Sequence, residues 1–279
     1  MENIRENLLR NIPENTRKIL FEGIGNARDL GGLRTGSGDM IRKGTLIRSA
    51  NLSAATETDV KMLLEQYRLL LVIDLRTPMA AGMKPDIPIP GVRYEAIPVF
   101  EDVMIGVTHE RDRDYAHRKT RMPDLGNLYE RIVTEEACRQ RLGKVIRLIM
   151  SQDFQSGSVL WHCSEGKDRC GLISAFLLYA LDVDEDVILE DYLMTNEAAI
   201  ARADDYYRKV LENGGDEQVA RSVWNAFVVK EEYLRGALNA IRRSWGDMRS
   251  YLTDGLQIPE DLIAAFRQAV LIKEPGDPD

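Results

Sequence analysis

Residues 158–181 read SVLWHCSEGKDRCGLISAFLLYAL and contain the elements that decide the fold. The run at 158–162 predicts a buried strand, and residues 171–181, apolar almost all round, predict a helix buried in the core. A turn that contains a glycine joins the two elements. Such a strand–turn–helix segment brings backbone N–H groups and a helix N-terminus to one point, where an anion can bind.

Cys163 begins this turn and Arg169 ends it. A cysteine in the positive field of a helix N-terminus favours the thiolate, which is the nucleophilic form. The planar guanidinium of Arg169 can bind two oxygens of a phosphoryl group, and Lys167 adds a second positive charge. A structural cysteine beside a solvated charged run is the alternative, but the flanking strand and helix and the internal Gly166 favour an anion site with a nucleophile.

Further strands and helices are predicted on either side of this segment. Residues 26–50 indicate short strands around a turn at 36–39, and Ser53 suits the N-cap of a helix running to about Tyr67. Other elements are predicted as a buried strand at 69–75, a weaker strand at 94–99, a long helix from about 125 to 150, and several helices from about 184 to 272. Strands that alternate with helices up to Cys163, followed by helices, predict an α/β fold: a central mixed, largely parallel sheet flanked by helices, with a helical C-terminal part.

Length and composition limit the organisation and the partners. No Pro/Gly/Ser-rich linker divides the 279 residues, so we expect a single domain over 1–279, with an ordered core at 20–272 and a frayed C-terminal tail. The net charge of −8 argues against nucleic acid as a partner. Three cysteines, no apolar run long enough for an integral membrane segment and no Sec-type signal favour a cytoplasmic protein, with export by another route left open.

The segment HCSEGKDR at residues 162–169 resembles the His-Cys-x5-Arg signature of the protein tyrosine phosphatase superfamily. It is closer to a bacterial and fungal branch whose loop reads His-Cys-x-x-Gly-Lys-Asp-Arg. Three other segments are similar to that branch, in the same order: NARDLGG at 26–32, DLR at 74–76 and DYLMTN at 191–196. The resemblance implies a cysteine-dependent phosphatase for phosphomonoesters, chiefly phosphotyrosine, extending to dual specificity or phosphoinositides. Its expected partners are phosphorylated proteins or phosphoinositides.

The resemblance also implies roles for individual residues. Cys163 would form a phosphocysteine, Arg169 would bind phosphoryl oxygens, and His162 would support the loop from behind. The phosphate-binding residues would be Ser164, Glu165, Gly166, Lys167, Asp168 and Arg169. We expect no cofactor and no metal, because the loop supplies the positive charge and the three histidines are scattered along the chain.

Two carboxyl groups compete for the role of proton donor to the leaving oxygen. In the branch that this chain resembles, the donor is the aspartate inside the loop, which here is Asp168. Asp124 is the alternative, although it also suits an N-cap of the helix that follows. Asp74, at the carboxyl end of a strand, would face the same crevice and would orient Arg169 or Lys167, or help in acid–base work.

Cys170 departs from the pattern of the branch, which has Thr or Ser at this position to stabilise the departing thiolate. Because a thiol is a poorer hydrogen-bond donor than a hydroxyl group, we expect slower breakdown of the phosphoenzyme. The segments 109–121 and 200–229 are candidate lids, and both also suit an ordinary solvated surface. Two alternative functions stay open: an inositol polyphosphate phosphatase, and a slow or inactive phosphate-binding pseudophosphatase.

Overall fold

The computed structural model describes residues 17–100 and 125–273, together with Arg5 and His117. The strands are β1 (Arg28–Asp29), β2 (Met40–Ile41), β3 (Leu46–Ser49), β4 (Leu69–Asp74), β5 (Arg93–Ala96), β6 (Ser158–His162) and β7 (Leu271–Ile272). The helices are α1 (Glu57–Glu65), α2 (Pro78–Met83), α3 (Gly126–Thr134), α4 (Glu136–Met150), α5 (Asp168–Ala180), α6 (Glu185–Leu193), α7 (Thr195–Glu212), α8 (Glu217–Phe227), α9 (Glu231–Trp245), α10 (Met248–Ser250) and α11 (Glu260–Val270), with a π-helical turn at Tyr251–Gly255.

Three predicted features fall outside these residues. They are Asp124, the basic stretch 109–121 except for His117, and the C-terminal tail 274–279. The alternative proton donor and the first candidate lid therefore stay predictions.

Five strands form one sheet in the order β1-β3-β6-β4-β5. The pairs β3–β6, β6–β4 and β4–β5 are parallel, and β1 is antiparallel to β3. This confirms the predicted α/β class with a mixed, largely parallel sheet and a helical C-terminal part. Because β6 lies in the middle, the turn that follows it opens at the centre of the sheet's carboxyl edge, where α/β proteins commonly bind ligands.

The central strand is buried on both faces. Val159 and Trp161 belong to the large apolar core shared with α3, α4 and α5, whereas Leu160 packs in a smaller cluster on the α1 side. Alternate residues of a strand point to opposite faces, so a strand covered on both sides reads as one continuous apolar run. The prediction of a buried strand at 158–162 is therefore confirmed.

The helix predicted after Ser53 begins later than expected, at Glu57. Its N-cap is Thr56, whose hydroxyl accepts a hydrogen bond from the N–H of Asp59, while the Asp59 carboxylate accepts one from the N–H of Thr56. This capping box satisfies two backbone donors at once. The hydroxyl of Ser53 instead donates to the side chain of Asn51, so the Ser53 cap was wrong.

The single long helix predicted over about 125–150 is also wrong, because it is two helices. The chain leaves helical geometry at Glu135, where φ is −68° and ψ is 130°. Helix α3 packs against α9, whereas α4 packs against α5 and α11. The break at Glu135 allows α3 and α4 to pack against different helices.

The remaining boundaries differ by a few residues. The buried helix begins at Asp168 rather than at Gly171, and the weak strand is Arg93–Ala96. The last two residues of the predicted helical part form strand β7, which pairs with β2 through Met40 and Ile272. A two-residue strand is too short to show a periodic pattern, so the sequence gives no sign of it.

Helices α7 and α8 pack on each other and cover most of the second candidate lid, 200–229. They bury a separate apolar cluster that includes Ile200, Val223 and Trp224. A role as a lid stays a prediction. Within the described ranges, every helix is too short or too polar to cross a lipid bilayer.

Candidate active site

The 163–169 loop is held from outside by side chains that bind its carbonyl oxygens. Nδ2 of Asn51 donates to the carbonyl of Ser164 at 2.7 Å. Nδ2 of Asn26 donates to the carbonyls of Glu165 and Gly166 at 2.9 and 3.1 Å. In a trans peptide unit the N–H points away from the carbonyl oxygen. Carbonyl groups that are held outward therefore direct the N–H groups that follow them towards the interior of the loop, where an anion can bind.

Two backbone conformations make this close fit possible. Gly166 has φ of +65°, and a Cβ there would lie 2.6 Å from the carbonyl carbon and oxygen of Ser49. Only glycine fits such an approach. Asn26 has φ of +49°, a region that asparagine adopts more readily than most residues. The loop therefore packs directly on the end of β3.

Four charged residues lie beneath the second half of the loop, and we call them the Asp191 cluster: Asp191 with Arg17, Arg28 and Arg48. The carboxylate of Asp191 is 1% exposed and lies 2.8, 3.1 and 3.2 Å from these arginines, in the order given. Burial raises the pKa of Asp191, but the charge of Arg28 and the other arginines outweighs burial and holds it well below its usual value. Arg48 also donates to the carbonyls of Gly166 and Lys167 at 2.8 and 3.3 Å. The cluster thus joins β1, β3 and α6 to the loop.

Cys163 is 2% exposed and lies at the base of the loop. Burial raises its pKa, but a hydrogen bond from the Cys170 thiol and the charge of Arg169 act in the opposite direction and hold the pKa well below that of an ordinary thiol. Burial and the neighbouring Cys163 raise the pKa of Cys170 well above its usual value, so Cys170 stays a neutral donor. Its Sγ also lies 3.7 Å from the carbonyl oxygen of Ser49 and 3.9 Å from that of Trp161, so other acceptors compete for the thiol proton. Replacement of the expected hydroxyl group by this thiol stays a prediction.

Arg169 is buried and reaches across the loop. Its Nη1 donates to the carbonyl of Leu75 at 3.1 Å, and its Nη2 lies 3.5 Å from Oγ of Ser164. The guanidinium carbon is 4.9 Å from the centre of the Phe100 ring. These contacts hold the planar group beside the nucleophile, where it can bind two phosphoryl oxygens.

Asp168 lies at the first position of α5, and its side chain is 19% exposed. The hydroxyl of Tyr129 donates to its Oδ1 at 2.6 Å. Since that uses the single proton of Tyr129, the hydroxyl of Tyr192, 2.8 Å away, is the donor to Tyr129. Burial and the Asp168 carboxylate raise the pKa of Tyr129 well above its usual value, so it remains a donor. A chain of two tyrosines therefore orients the candidate acid.

Lys167, which the resemblance implies as a phosphate-binding residue, is buried and bound to neighbouring protein groups. It is 1% exposed. Its Nζ donates to the carbonyl of Ala226 at 2.5 Å and lies 3.3 Å from Oδ2 of Asp168. Lys167 therefore connects the loop to the end of α8. A second contact, 2.6 Å between Arg202 and Glu165, joins the loop to α7.

A cavity of about 240 Å³ lies beside the loop. Ser164 and the Glu165–Arg202 ion pair form part of its wall, and Lys84 contributes positive charge. The small residues Gly23, Gly25, Ala50, Ala54, Ala198 and Ala199 leave this space open.

His162 lies behind the loop, as the resemblance implies, and is fully buried. Asp74 was expected to orient Arg169 or Lys167. In the structure its carboxylate binds Arg76 at 2.7 Å and accepts a hydrogen bond from Tyr94 at 2.6 Å. Asp86 lies beside it, 3.0 Å from Nε2 of His162. We call Asp74, Asp86, Arg76, Tyr94 and His162 the Asp74–Asp86 cluster.

This cluster tests the expectation of a metal-free site. Asp74, Asp86 and His162 each place a potential ligand atom within 4.8 Å of the others. However, the guanidinium of Arg76 lies 2.7 Å from both carboxylates. Because Arg76 already supplies the positive charge between them, the three residues do not fit a metal ion.

Sequence reasoning missed several residues that hold the site. Asp86 and Tyr94 lie on an irregular segment and an edge strand, and Tyr129 lies on a helix that carried no motif. Arg48 did offer a signal, since a charged residue that directly follows the apolar pair Leu46 and Ile47 in a short strand requires a partner when it is buried. Asn51 gave none, because its role depends on the position of Ser164.

Comparisons with known proteins agree with this geometry. A sequence profile described as the tyrosine phosphatase family matches residues 19–272. A candidate tyrosine-protein phosphatase of Cupriavidus necator is 30% identical over 244 residues, which cover 86% of this chain and 84% of that protein. The triple specificity protein phosphatase PtpB of Mycobacterium tuberculosis is 28% identical over 135 residues, which cover 45% of this chain and 47% of that protein. Among solved structures, P. aeruginosa TpbA aligns with a TM-score of 0.30 and 18% identity over 71% of this chain and 90% of that chain.

The TM-score of 0.30 is too low to support an argument. The family profile does support one, because it matches most of the chain. It extends from the residues before β1 to strand β7 and includes the whole sheet, the 163–169 loop and the C-terminal helices. This chain therefore belongs to the tyrosine phosphatase family and is a phosphatase.

Proposed function

We propose that the chain hydrolyses phosphomonoesters, chiefly phosphotyrosine, through a phosphocysteine on Cys163. One observation carries the proposal: Cys163 lies in a loop whose carbonyl groups are held outward, and its pKa stays low despite burial because of the Cys170 thiol and Arg169. A stabilised thiolate in an anion cradle suits attack on phosphorus. The names of both relatives support tyrosine phosphate as a substrate, and that of PtpB supports wider specificity.

In the first step, Sγ of Cys163 attacks phosphorus in line and the bond from phosphorus to the ester oxygen breaks. Arg169 and the inward N–H groups bind the three equatorial oxygens as charge develops on them. Asp168 gives its proton to the leaving oxygen. In the second step, water attacks the phosphocysteine, Asp168 takes a proton from it, and the S–P bond breaks. The Cys170 thiol then donates to the thiolate that leaves.

An inositol polyphosphate phosphatase is the second candidate within the same chemistry. The cavity beside the loop favours it, because Lys84 provides positive charge for a second anionic group, while the charge of Arg202 is balanced by Glu165. A substrate panel of phosphotyrosine peptides, phosphoinositides and soluble inositol phosphates separates the candidates. If phosphotyrosine has the highest kcat/KM, the first proposal stands. If the multiply phosphorylated inositols do, the second replaces it.

Cys163→Ser tests the chemistry itself. We expect turnover of para-nitrophenyl phosphate to be lost while inorganic phosphate still binds, because the N–H groups and Arg169 remain. Calorimetric titration with phosphate measures the binding. Cys138→Ala is the matched control, since Cys138 is a buried cysteine on α4 outside the loop, and it should keep turnover. Retained turnover in Cys163→Ser would rule out the phosphocysteine.

Arg169→Ala should remove transition-state stabilisation of roughly 3–5 kcal/mol, because its two charged hydrogen bonds strengthen as the oxygens gain charge. The comparison of kcat/KM between wild type and variant measures this loss. A loss smaller than about tenfold would show that Arg169 contributes little to the transition state.

Asp168→Asn distinguishes the two candidate acids. A good leaving group needs little protonation, so we expect para-nitrophenyl phosphate to lose less rate than phenyl phosphate. Equal losses on both substrates would point away from Asp168. The same leaving-group comparison on Asp124→Asn would then identify the alternative donor.

A further inference from the structure

Asp86 is buried behind the loop and bonds to several segments at once. Its Oδ1 accepts a hydrogen bond from the N–H of Leu52 at 2.7 Å. Its Oδ2 accepts one from Nη2 of Arg76 at 2.7 Å. The same oxygen lies 2.7 Å from the hydroxyl of Tyr94, whose single proton is shared with the carboxylate of Asp74. The side chain of Asp86 is only 5% exposed. One carboxylate thus fixes the chain on both sides of β4.

Each of these segments in turn holds a part of the loop. Leu52 follows Asn51, whose side chain binds the carbonyl of Ser164 at 2.7 Å. Arg76 follows Leu75, whose carbonyl binds Arg169 at 3.1 Å. The contacts of Asp86 therefore lead to the residue after the nucleophile and to the phosphate-binding arginine.

The third connection leads to the nucleophile. Nε2 of His162 lies 3.0 Å from Oδ2 of Asp86, and His162 immediately precedes Cys163. The N–H of Leu75 donates to the carbonyl of His162 at 2.9 Å, which ties the same two segments together through the backbone. Among the described residues neither ring nitrogen of His162 has a well-aligned hydrogen bond, so the Asp86 contact is a close approach of two buried polar groups.

We propose that Asp86 is a positioning residue that aligns Cys163, Ser164 and Arg169 on one anion. It touches none of the reacting atoms and acts through His162, Asn51 and Leu75. The inference rests on the proposed function only in taking Cys163 as the nucleophile. A misplacement of about 1 Å can cost on the order of 100-fold in rate, so a residue that aligns three groups has a large effect without contacting substrate.

Asp86→Asn keeps the shape of the side chain and an oxygen for Leu52, but removes the charge opposite Arg76 and His162. We expect kcat to fall by about 10–100-fold in protein that is still folded by circular dichroism. Asp29→Asn is the matched control: Asp29 is a part-buried carboxylate that accepts hydrogen bonds from Gly31 and Gly44, away from the loop. It should lower stability without changing kcat per folded molecule.

The decisive measurement is alkylation of Cys163 by iodoacetamide across a pH series, followed on its peptide by mass spectrometry. If Asp86 aligns the loop, its loss weakens the donors around Sγ, so the alkylation profile shifts to higher pH. If Asp86 acts only through its charge, removal of a nearby negative charge favours the thiolate and the profile shifts to lower pH. A downward shift or no shift would overturn the proposal.

Tyr94→Phe provides a second test should Asp86→Asn fold poorly. Tyr94 is 48% exposed, and its hydroxyl lies 2.6 and 2.7 Å from the carboxylates of Asp74 and Asp86. Its loss should cause a smaller shift in the same upward direction, and an unchanged profile would contradict positioning by this cluster. The readout needs no substrate, so a failure of the phosphatase proposal would appear separately, as retained turnover in Cys163→Ser.

Discussion

The Asp191 cluster and the Asp74–Asp86 cluster flank the same loop but carry charge of opposite sign. In the first, one carboxylate meets three guanidinium groups. In the second, two carboxylates share one guanidinium group, that of Arg76. Counting only these groups, the first has an excess of two positive charges and the second an excess of one negative charge.

The difference matches how each cluster contacts the loop. Arg48 of the positive cluster binds the carbonyls of Gly166 and Lys167 directly. Asp86 of the negative cluster reaches the loop through the neighbouring residues Leu52, Arg76 and His162. Positive charge next to the loop favours an anion, whereas negative charge next to it would oppose one. A phosphate site can therefore accept buried carboxylates as supports when other residues stand between them and the anion.

Asp191→Asn should cause the largest loss of stability. It leaves three arginines without their carboxylate, and loss of one partner from a buried ionic network costs about 3–5 kcal/mol. Asp74→Asn is the matched change in the other cluster and should cost less, about 1–3 kcal/mol, since Arg76 keeps Asp86. Urea unfolding of both variants measures the two losses. Equal losses would mean that the excess of positive charge has no structural consequence.

Acid should weaken both clusters, because each depends on ionised carboxylates. Burial raises the pKa of Asp74, but hydrogen bonds from Arg76 outweigh it and lower the pKa to about 2; the pKa of Asp191 is lowered as well. Groups with a depressed folded pKa contribute stability that is complete above the unfolded value of about 3.9 and is lost as the pH falls through the folded value. Each contributes a slope of up to about 1.4 kcal/mol per pH unit. Stability should therefore decline as the pH drops from about 4 to 2.

The same series on Asp191→Asn should give a shallower acid slope, because one fewer carboxylate takes up a proton on unfolding. The free energy of unfolding at each pH gives the slope. A slope equal to that of wild type would indicate that Asp191 is not the group that titrates.

Cys170→Thr should have the smallest effect, because it changes one buried side chain in the first turn of α5 and no residue of either cluster. A hydroxyl is a stronger donor than a thiol, so breakdown of the phosphoenzyme should accelerate by about two- to tenfold. Rapid-quench kinetics with para-nitrophenyl phosphate would show a smaller burst relative to steady turnover. An unchanged burst would mean that the Cys170 thiol already stabilises the departing thiolate fully.

Much of the loop was predictable because its determinants are local in the chain. The apolar strand, the glycine in the turn, Cys163 and Arg169 at its ends and the buried helix all lie within residues 158–181. The sheet class followed in the same way, from the alternation of short apolar runs with helical segments. Motifs outside this stretch, such as DYLMTN at 191–196, support the resemblance but reveal neither the role of Asp191 nor its partners.

Tertiary structure alone decided which residues hold the loop. Asp86 gains its importance only when the sheet brings β4 and β6 side by side, and Lys167 turns towards Ala226 because α8 ends there. The division of the predicted helix 125–150 into α3 and α4 likewise depends on two separate packing partners. A local pattern specifies the backbone path of a segment, whereas the partner of a buried charge depends on residues far away in the chain, which the pattern does not contain.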